Sequence, residues 1–312
     1  MNTARTCPGL YCGRTELDDD TWSDCGACPR GYRTNSSSYC MPCTDEPTLY
    51  DGLYLGFMVL LPLVLHWGAI DMVGFGKGCK NILMQHFCAF LEVASGTLAA
   101  LLVLPPAGSI TLYVCSPKAL SDWYTLLHNP QPDYRETLHC TQEAVYPLYT
   151  VVLLIYAFSL LMTITLRPWL MTRQEAVPTG TSPDTRPRFV ANPGKKAIYC
   201  ALYFYPILVL IHTIAAGLIY CSFPYIIIII SMMTSASQFS IRNEQSAPAL
   251  LMSTITKPRN LIILVGHWIV HAYGIISLTG FRELWYLSLV PAPALFYILT
   301  AQFTDPIKIH SD

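Results

Sequence analysis

The chain has 312 residues, of which 53% are hydrophobic and 12% are charged, and its formal net charge is −1. A soluble protein of this length carries about a quarter charged residues, so the composition excludes an ordinary soluble domain. The net charge argues against a nucleic-acid-binding protein, because phosphate neutralisation needs a basic surface. The sequence therefore predicts an all-α polytopic membrane protein.

The first predicted element, residues 1–51, is a cysteine-rich segment that precedes the first span. Its cysteines are Cys7, Cys12, Cys25, Cys28, Cys40 and Cys43. Zinc would use only the two Cys-x-x-Cys pairs, which are eleven residues apart and closer than is usual for such a site. Disulfides would use all six and would stabilise a segment with few large aliphatic side chains. We favour disulfides, with the pairing open. Asn35 begins the only glycosylation sequon.

Seven apolar stretches then follow, each long enough for a bilayer core, which needs roughly 20 apolar residues per helix. They lie at about 53–73, 81–104, 145–166, 197–218, 221–240, 260–280 and 284–303. The fourth and fifth are close enough to predict a tight hairpin, with Pro224 in the first turn of the fifth. If residues 197–240 held one span instead, the carboxy terminus would change sides. We expect a seven-helix bundle over 52–304 and a short tail, 305–312.

The basic residues predict the orientation of these spans. Twelve of the 19 Lys and Arg residues fall in the predicted inner segments, three in the outer loops and four in the amino-terminal segment. In this assignment no span contains a basic residue, and Arg167 begins an inner loop. The positive-inside rule then predicts a lumenal or external amino terminus and a cytosolic carboxy terminus.

Two loops carry further features. Cys115 and Cys140 lie together in the outer loop after the second span, which predicts a disulfide between them. The inner loop at about 167–196 is rich in Pro, Thr and Arg and has a net charge of +4, which indicates a disordered cytosolic segment. Within it, Ser182 precedes a proline and is a candidate phosphorylation site.

Ionisable residues inside spans are costly and are therefore functional candidates. We expect an intramembrane polar network that comprises His66, Asp71, His86, Glu92, His267 and His271. Another histidine, His212, lies in the fourth span. We favour interhelical hydrogen bonding that fixes the bundle.

The alternative is an intramembrane metal-dependent hydrolase that uses His66, His86, His267 and His271. His267 and His271 are four residues apart, a spacing that can bind a metal, but the glutamate of His-Glu-x-x-His is missing. Convergence of the histidines would favour the enzyme. We assign no catalytic, cofactor-binding or metal-binding residue.

Long stretches of the chain are similar to a known family. They are GLYCG at 9–13, CGACPRGYRTN at 25–35, LYLGFMVLLPLVLHW at 53–67, LSDWYT at 120–125, NPQPDY at 129–134, EAVYPLYT at 143–150, ALYFYPIL at 201–208, HWIVHAYGIIS at 267–277 and LVPAPALFYILTAQFT at 289–304. Together they resemble the membrane proteins associated with c-Jun N-terminal kinase, the JAMP or JKAMP family.

This resemblance implies a seven-spanning, non-enzymatic adaptor in endoplasmic-reticulum-associated degradation, with no cofactor. It implies residence in the endoplasmic reticulum membrane, with the plasma membrane as an alternative location. The implied partners are a membrane RING-type ubiquitin ligase, the proteasome, c-Jun N-terminal kinase and misfolded membrane or lumenal proteins, besides the lipid bilayer. A receptor with a cysteine-rich ectodomain would have the same outline, and it is the second alternative.

Overall fold

The computed structural model describes residues 6–17, 21–74, 82–128, 140–175, 193–242 and 246–303. The chain forms two compact units, Met1–Ile219 and Tyr220–Asp312. Its helices are α1 Leu49–Gly74, α2 Ile82–Val103, α3 Thr125–His128, α4 Leu148–Glu175, α5 Pro193–Ser240, α6 Ala247–Thr256, α7 Pro258–Thr279 and α8 Ala292–Thr300.

Within the described residues, five helices are long and apolar enough to cross a bilayer: α1, α2, α4, α5 and α7. The segments Ala247–Thr256 and Leu284–Thr300 are apolar but shorter. The chain is therefore a membrane protein with several apolar helices, and the predicted count of seven spans is not confirmed.

The predicted hairpin over 197–240 is wrong, because α5 is a single helix from Pro193 to Ser240. Its apolar part has 45 residues, about twice the roughly 20 that one crossing needs. The residues at the expected turn, Leu-Ile-Tyr-Cys at 218–221, include no Gly, Pro or Asn to favour a chain reversal. Pro224 lies inside the helix, where a membrane protein tolerates proline.

Three other predicted boundaries change. The expected last span, 284–303, is divided into the 3-10 turns Leu284–Leu289 and Ala301–Phe303 with α8 between them. Pro291 is the N-cap of α8 and Pro293 lies in its first turn, positions at which proline can begin a helix but does not continue one from the preceding residues. The expected loop at 241–259 contains α6. The expected loop at 167–196 is helical at both ends, since α4 continues to Glu175 and α5 begins at Pro193. The centre of that loop, with Ser182, and the tail 305–312 lie outside the described residues.

Two-stranded antiparallel sheets organise the amino-terminal segment. β1 Cys12–Gly13 pairs with β2 Gly26–Ala27, and β3 Tyr32–Thr34 pairs with β4 Cys40–Pro42. Gly13 faces one of the disulfides: a Cβ built there would lie 2.7 Å from Cys40 Sγ and 2.8 Å from Cys28 Sγ. The close approach of backbone and sulfur therefore requires glycine at this position.

All eight cysteines predicted for disulfides are bonded. The bonds are Cys7–Cys25, Cys12–Cys140, Cys28–Cys40 and Cys43–Cys115. The predicted pairing of Cys115 with Cys140 is wrong, because the loop between α2 and α4 packs onto the amino-terminal segment instead of closing on itself. Together, the described parts of residues 6–48 and 104–147 form one disulfide module.

The module passes directly into the helix bundle. α1 begins with a capping box, in which the Asp51 carboxylate accepts the Thr48 N–H at 2.8 Å and Thr48 Oγ1 accepts the Asp51 N–H at 3.2 Å. On the module's other side, a Cβ built on Gly217 of α5 would lie 2.8 Å from the Trp123 Cβ. The module therefore contacts α5 closely as well as being covalently continuous with α1.

Candidate functional site in the helix bundle

Small residues bring α2 and α4 together in the first unit. Ser159, Thr163 and Arg167 follow one another at intervals of four residues on α4, and Glu92 and Gly96 have the same spacing on α2, so each set shares a helical face. A Cβ built on Gly96 would lie 2.5 Å from the Ser159 backbone nitrogen. The two helices can approach this closely only because glycine has no side chain, as is common where helices pack in membranes.

An ion pair between Glu92 and Arg167 lies beside this contact. Arg167 donates from Nε to Glu92 Oε1 at 2.8 Å and from Nη2 to Glu92 Oε2 at 2.5 Å. The side chains are 1% and 0% exposed, respectively. Two parallel bonds match the shapes of guanidinium and carboxylate and oppose the two charges where no solvent could screen them.

Three neighbours extend the pair to two further helices. Arg167 Nη2 faces His66 Nδ1 on α1 at 3.3 Å, and His66 Nε2 faces Tyr205 Oη on α5 at 3.2 Å. Thr163 Oγ1 donates to Glu92 Oε2 at 3.0 Å. Because a guanidinium can only donate, His66 Nδ1 must accept, which assigns the ring proton to Nε2. We call His66, Glu92, Thr163, Arg167 and Tyr205 the buried network.

The buried network joins four helices through charged and polar groups whose separation would cost a large amount of free energy. Sliding α2 along α4 would leave a carboxylate and a guanidinium unpaired in a low-dielectric interior. Such a pair adds little net stability compared with apolar residues of the same size, but it disfavours every other register. We interpret the network as a lock on the arrangement of α1, α2, α4 and α5.

Another polar pair lies near the ends of α1 and α2. His86 Nε2 is 3.2 Å from Asp71 Oδ1, and the Asp71 side chain is 63% exposed. His86 Nδ1 also lies 2.8 Å from the Ile82 carbonyl oxygen. Exposed pairs of this kind contribute little to stability, so this pair differs physically from the buried network.

The two histidines of α7 belong to the second unit. His271 Nδ1 lies 2.7 Å from Ser231 Oγ of α5. His267 Nδ1 is buried and has no hydrogen-bond partner among the described residues. In the first unit, His212 Nε2 lies 3.0 Å from the Tyr149 carbonyl oxygen, which connects α5 to α4.

Among the described residues, no three His, Cys, Asp or Glu side chains lie close enough to hold a metal ion. The convergence that would favour the hydrolase alternative is therefore not seen in that part of the chain.

In the disulfide module, Asp122 is the centre of a second polar cluster. Its carboxylate accepts the N–H of Lys118 at 2.7 Å, the N–H of Ala119 at 3.1 Å and Arg33 Nη2 at 2.9 Å. Tyr11 Oη donates to its other oxygen at 3.0 Å. Burial alone would raise the Asp122 pKa, but the two N–H groups and the guanidinium outweigh it and hold the pKa below its ordinary value. The cluster reinforces the disulfides that join loop and segment.

Comparison with known proteins identifies the family. A sequence model of the family described as JNK1/MAPK8-associated membrane protein, JAMP, matches residues 7–306. The chain belongs to the JAMP family. The Homo sapiens and Mus musculus JNK1/MAPK8-associated membrane proteins are each 46% identical to it over 314 residues, covering 98% of this chain and 96% of the relative. A Caenorhabditis elegans homolog is 28% identical over 318 residues, covering 95% and 93%. No solved structure matches the chain. The resemblance inferred from the sequence is thereby confirmed.

In this JAMP family member, the sequence analysis did not predict Arg167, the basic member of the buried network. Arg167 was assigned to an inner loop, and this is wrong: it lies in α4, within the apolar stretch Leu148–Leu170. Apolar residues on both sides of Arg167 and the four-residue spacing from Ser159 through Thr163 were the signals available. They predict a polar stripe on one helical face, but they do not say that Glu92 is its partner.

Proposed function

We propose that this protein is a non-enzymatic, multi-pass adaptor of the endoplasmic reticulum membrane that associates with a c-Jun N-terminal kinase. The observation that carries the proposal is membership of the JAMP family over nearly the whole chain, with relatives at 46% identity that are named for association with JNK1/MAPK8. The match extends over the disulfide module and the helices alike.

The polar chemistry inside the bundle supports a framework more than a reaction centre. The charged groups of Glu92 and Arg167 are directed at each other, and His66 is engaged by Arg167 and Tyr205. Charged groups that oppose one another in this way hold helices in place, whereas catalytic groups must be open to a substrate. A rigid bundle suits a protein that presents binding surfaces.

The proposal extends to the degradation of misfolded proteins. In it, the amino-terminal module lies in the lumen and the chain crosses the membrane five times, an odd number that leaves the carboxy terminus in the cytosol. The protein recruits the proteasome and a membrane RING-type ligase under folding stress. Soluble partners would bind cytosolic sequence, of which the stretch between α4 and α5, without the buried Arg167, is the longest. A membrane ligase would pack against the apolar helices.

Co-purification from detergent tests this function. Full-length protein and a form without residues 177–191 and 304–312 would each be isolated from stressed cells. We expect c-Jun N-terminal kinase and the proteasome to be retained by the full-length protein and depleted with the deletion, while the ligase remains. Retention of both soluble partners by the deletion form would refute the cytosolic-sequence part. Absence of the kinase from the full-length sample would refute the function itself.

A further inference from the structure

A cleft of about 710 Å³ lies in the second unit, where the end of α5, α6 and the start of α7 meet. Its polar lining comprises Gln238, Arg242, Ser253, Lys257, Arg259 and Asn260. Lys257 and Arg259 are exposed, so their ammonium and guanidinium groups are free to reach a ligand. The buried network lies outside this unit and none of its residues lines the cleft.

Arg242 is fixed in the wall of the cleft. Its Nη1 donates to Thr254 Oγ1 at 2.7 Å, to Ser253 Oγ at 2.8 Å and to the Leu250 carbonyl at 3.2 Å. The guanidinium carbon also lies 4.8 Å from the centre of the Phe239 ring. These contacts attach the end of α5 to α6 and hold a positive charge at a defined place, which reduces the entropy lost when an anion binds.

Charge in the cleft is of one sign among the described residues. Three cations line it, and the only described acidic residue of the second unit, Glu283, follows the opposite end of α7. Glu244 lies outside the described residues. The amino terminus of α7, at Pro258, adds the positive end of a 22-residue helix dipole. The cleft therefore has the electrostatics of an anion site, with side chains as well as a helix end contributing.

The position of the cleft decides what kind of anion it meets. Lys257 directly precedes α7, an apolar helix whose 22 residues match one crossing. The cations of the cleft therefore stand at the end of a membrane-crossing helix, at the level of lipid headgroups. Beside them, α6 exposes Leu251, Met252 and Ile255, at 47%, 60% and 60%. A soluble phosphate would leave this apolar surface uncovered, whereas the acyl chains of a lipid would pack against it.

We propose that this cleft binds the phosphorylated headgroup of an anionic phospholipid, with the acyl chains along the exposed side of α6. Arg242, Lys257 and Arg259 contact the phosphates. Gln238 Oε1 is buried without a hydrogen-bond partner in the described part of the chain, and it would accept a hydrogen bond from a headgroup hydroxyl. This favours a hydroxylated headgroup of the phosphoinositide class.

Native mass spectrometry of the full-length protein tests the proposal. Wild type would be equilibrated in mixed micelles with phosphatidylinositol 4-phosphate or with phosphatidylcholine. The test variant is Lys257→Gln with Arg259→Gln. The control, Lys118→Gln with Arg282→Gln, removes two exposed charges elsewhere. We expect wild type and control to retain the phosphoinositide and the test variant to retain about 30-fold less, as for the loss of two basic contacts. Equal retention by the test variant, or equal retention of phosphatidylcholine by wild type, would overturn the proposal.

Two further measurements keep the outcome decisive. Free inositol 1,4-bisphosphate should displace the lipid only weakly; displacement at concentrations equal to those of the lipid would assign the cleft to a soluble phosphate. A photoreactive phosphoinositide on the wild-type protein should crosslink within 247–263, and this needs no variant to fold. Crosslinks confined to the first unit would contradict the site.

Discussion

Arg167 and Glu92 face each other through two parallel hydrogen bonds, and both side chains are almost completely shielded from solvent. Their helices are in register because Gly96 accommodates the Ser159 backbone. The ion pair and the glycine contact therefore depend on each other: without close approach the charges separate, and without the charges a slide along the glycine face no longer leaves a buried ion unpaired.

Removing one member of the ion pair should destabilise the protein more than removing both. Arg167→Met leaves the Glu92 carboxylate buried and uncompensated, at an expected loss of about 3–5 kcal/mol of unfolding free energy. Arg167→Met with Glu92→Met should recover most of that loss. Thermal unfolding in detergent measures both, and Thr165→Ala on the exposed side of α4 is the control. A double variant no more stable than the single variant would show that the charges are not coupled.

Gly96→Ala should weaken the packing of α2 against α4. The added Cβ would meet the Ser159 backbone at 2.5 Å, and backbone cannot move aside as a flexible side chain can, so we expect a loss of about 1–3 kcal/mol. Gly68→Ala in α1 is the matched control, because a Cβ there meets nothing within 4 Å. It should be neutral or raise the melting temperature through helix propensity. Equal behaviour of the two variants would contradict the close contact.

The disulfide connectivity can be tested by mapping peptides from the unreduced protein. Peptides containing Cys12 and Cys140 should be linked, as should those containing Cys43 and Cys115. Replacing Cys12 and Cys140 with serine should lower stability by about 2–5 kcal/mol, whereas Cys221→Ser, at an exposed free thiol, should not. Recovery of a peptide linking Cys115 to Cys140 would instead support the pairing expected from the sequence.

Features that a local sequence pattern specifies, such as apolar helices, could be predicted. Features that depend on residues far apart in the chain, such as the disulfide pairing and the buried ion pair, could not. Apolar length located α1, α2 and α7 within a few residues. The cysteines were recognised by number and compartment, but the pairing of Cys12 with Cys140 joins residues 128 positions apart, and no local rule selects it. Arg167 was misplaced for a related reason: a charge inside a span is tolerated only with a partner, and Glu92 is on another helix.

Acid should weaken the cluster around Asp122. Its folded pKa lies below the ordinary value of about 3.9, so the stabilisation is present above that ordinary value and is lost as pH falls through the folded pKa. The melting temperature of wild type should therefore exceed that of Asp122→Asn at pH 6, and the difference should shrink below about pH 4. Asp24→Asn, on the same module, controls for general charge loss. A difference that stays constant down to pH 3 would contradict the linkage.

Asn35 provides the test of which side of the membrane holds the disulfide module. The side chain lies in an exposed turn, where its Oδ1 accepts the N–H groups of Ser37 and Tyr39, each at 2.9 Å. If the module is lumenal, as we propose, the sequon Asn35-Ser36-Ser37 is in the compartment where glycans are added. Wild type should then show a mobility shift on glycosidase treatment.

Neighbouring serines supply the matched pair of variants for that experiment. Ser37→Ala destroys the sequon and should abolish the glycan, whereas Ser36→Ala keeps Asn-x-Ser and should retain it. Both remove one hydroxyl from the same exposed turn, so altered folding would affect the two alike. A wild-type protein that carries no glycan, and whose disulfide module is modified by a cytosolic labelling reagent in intact cells, would reverse the orientation.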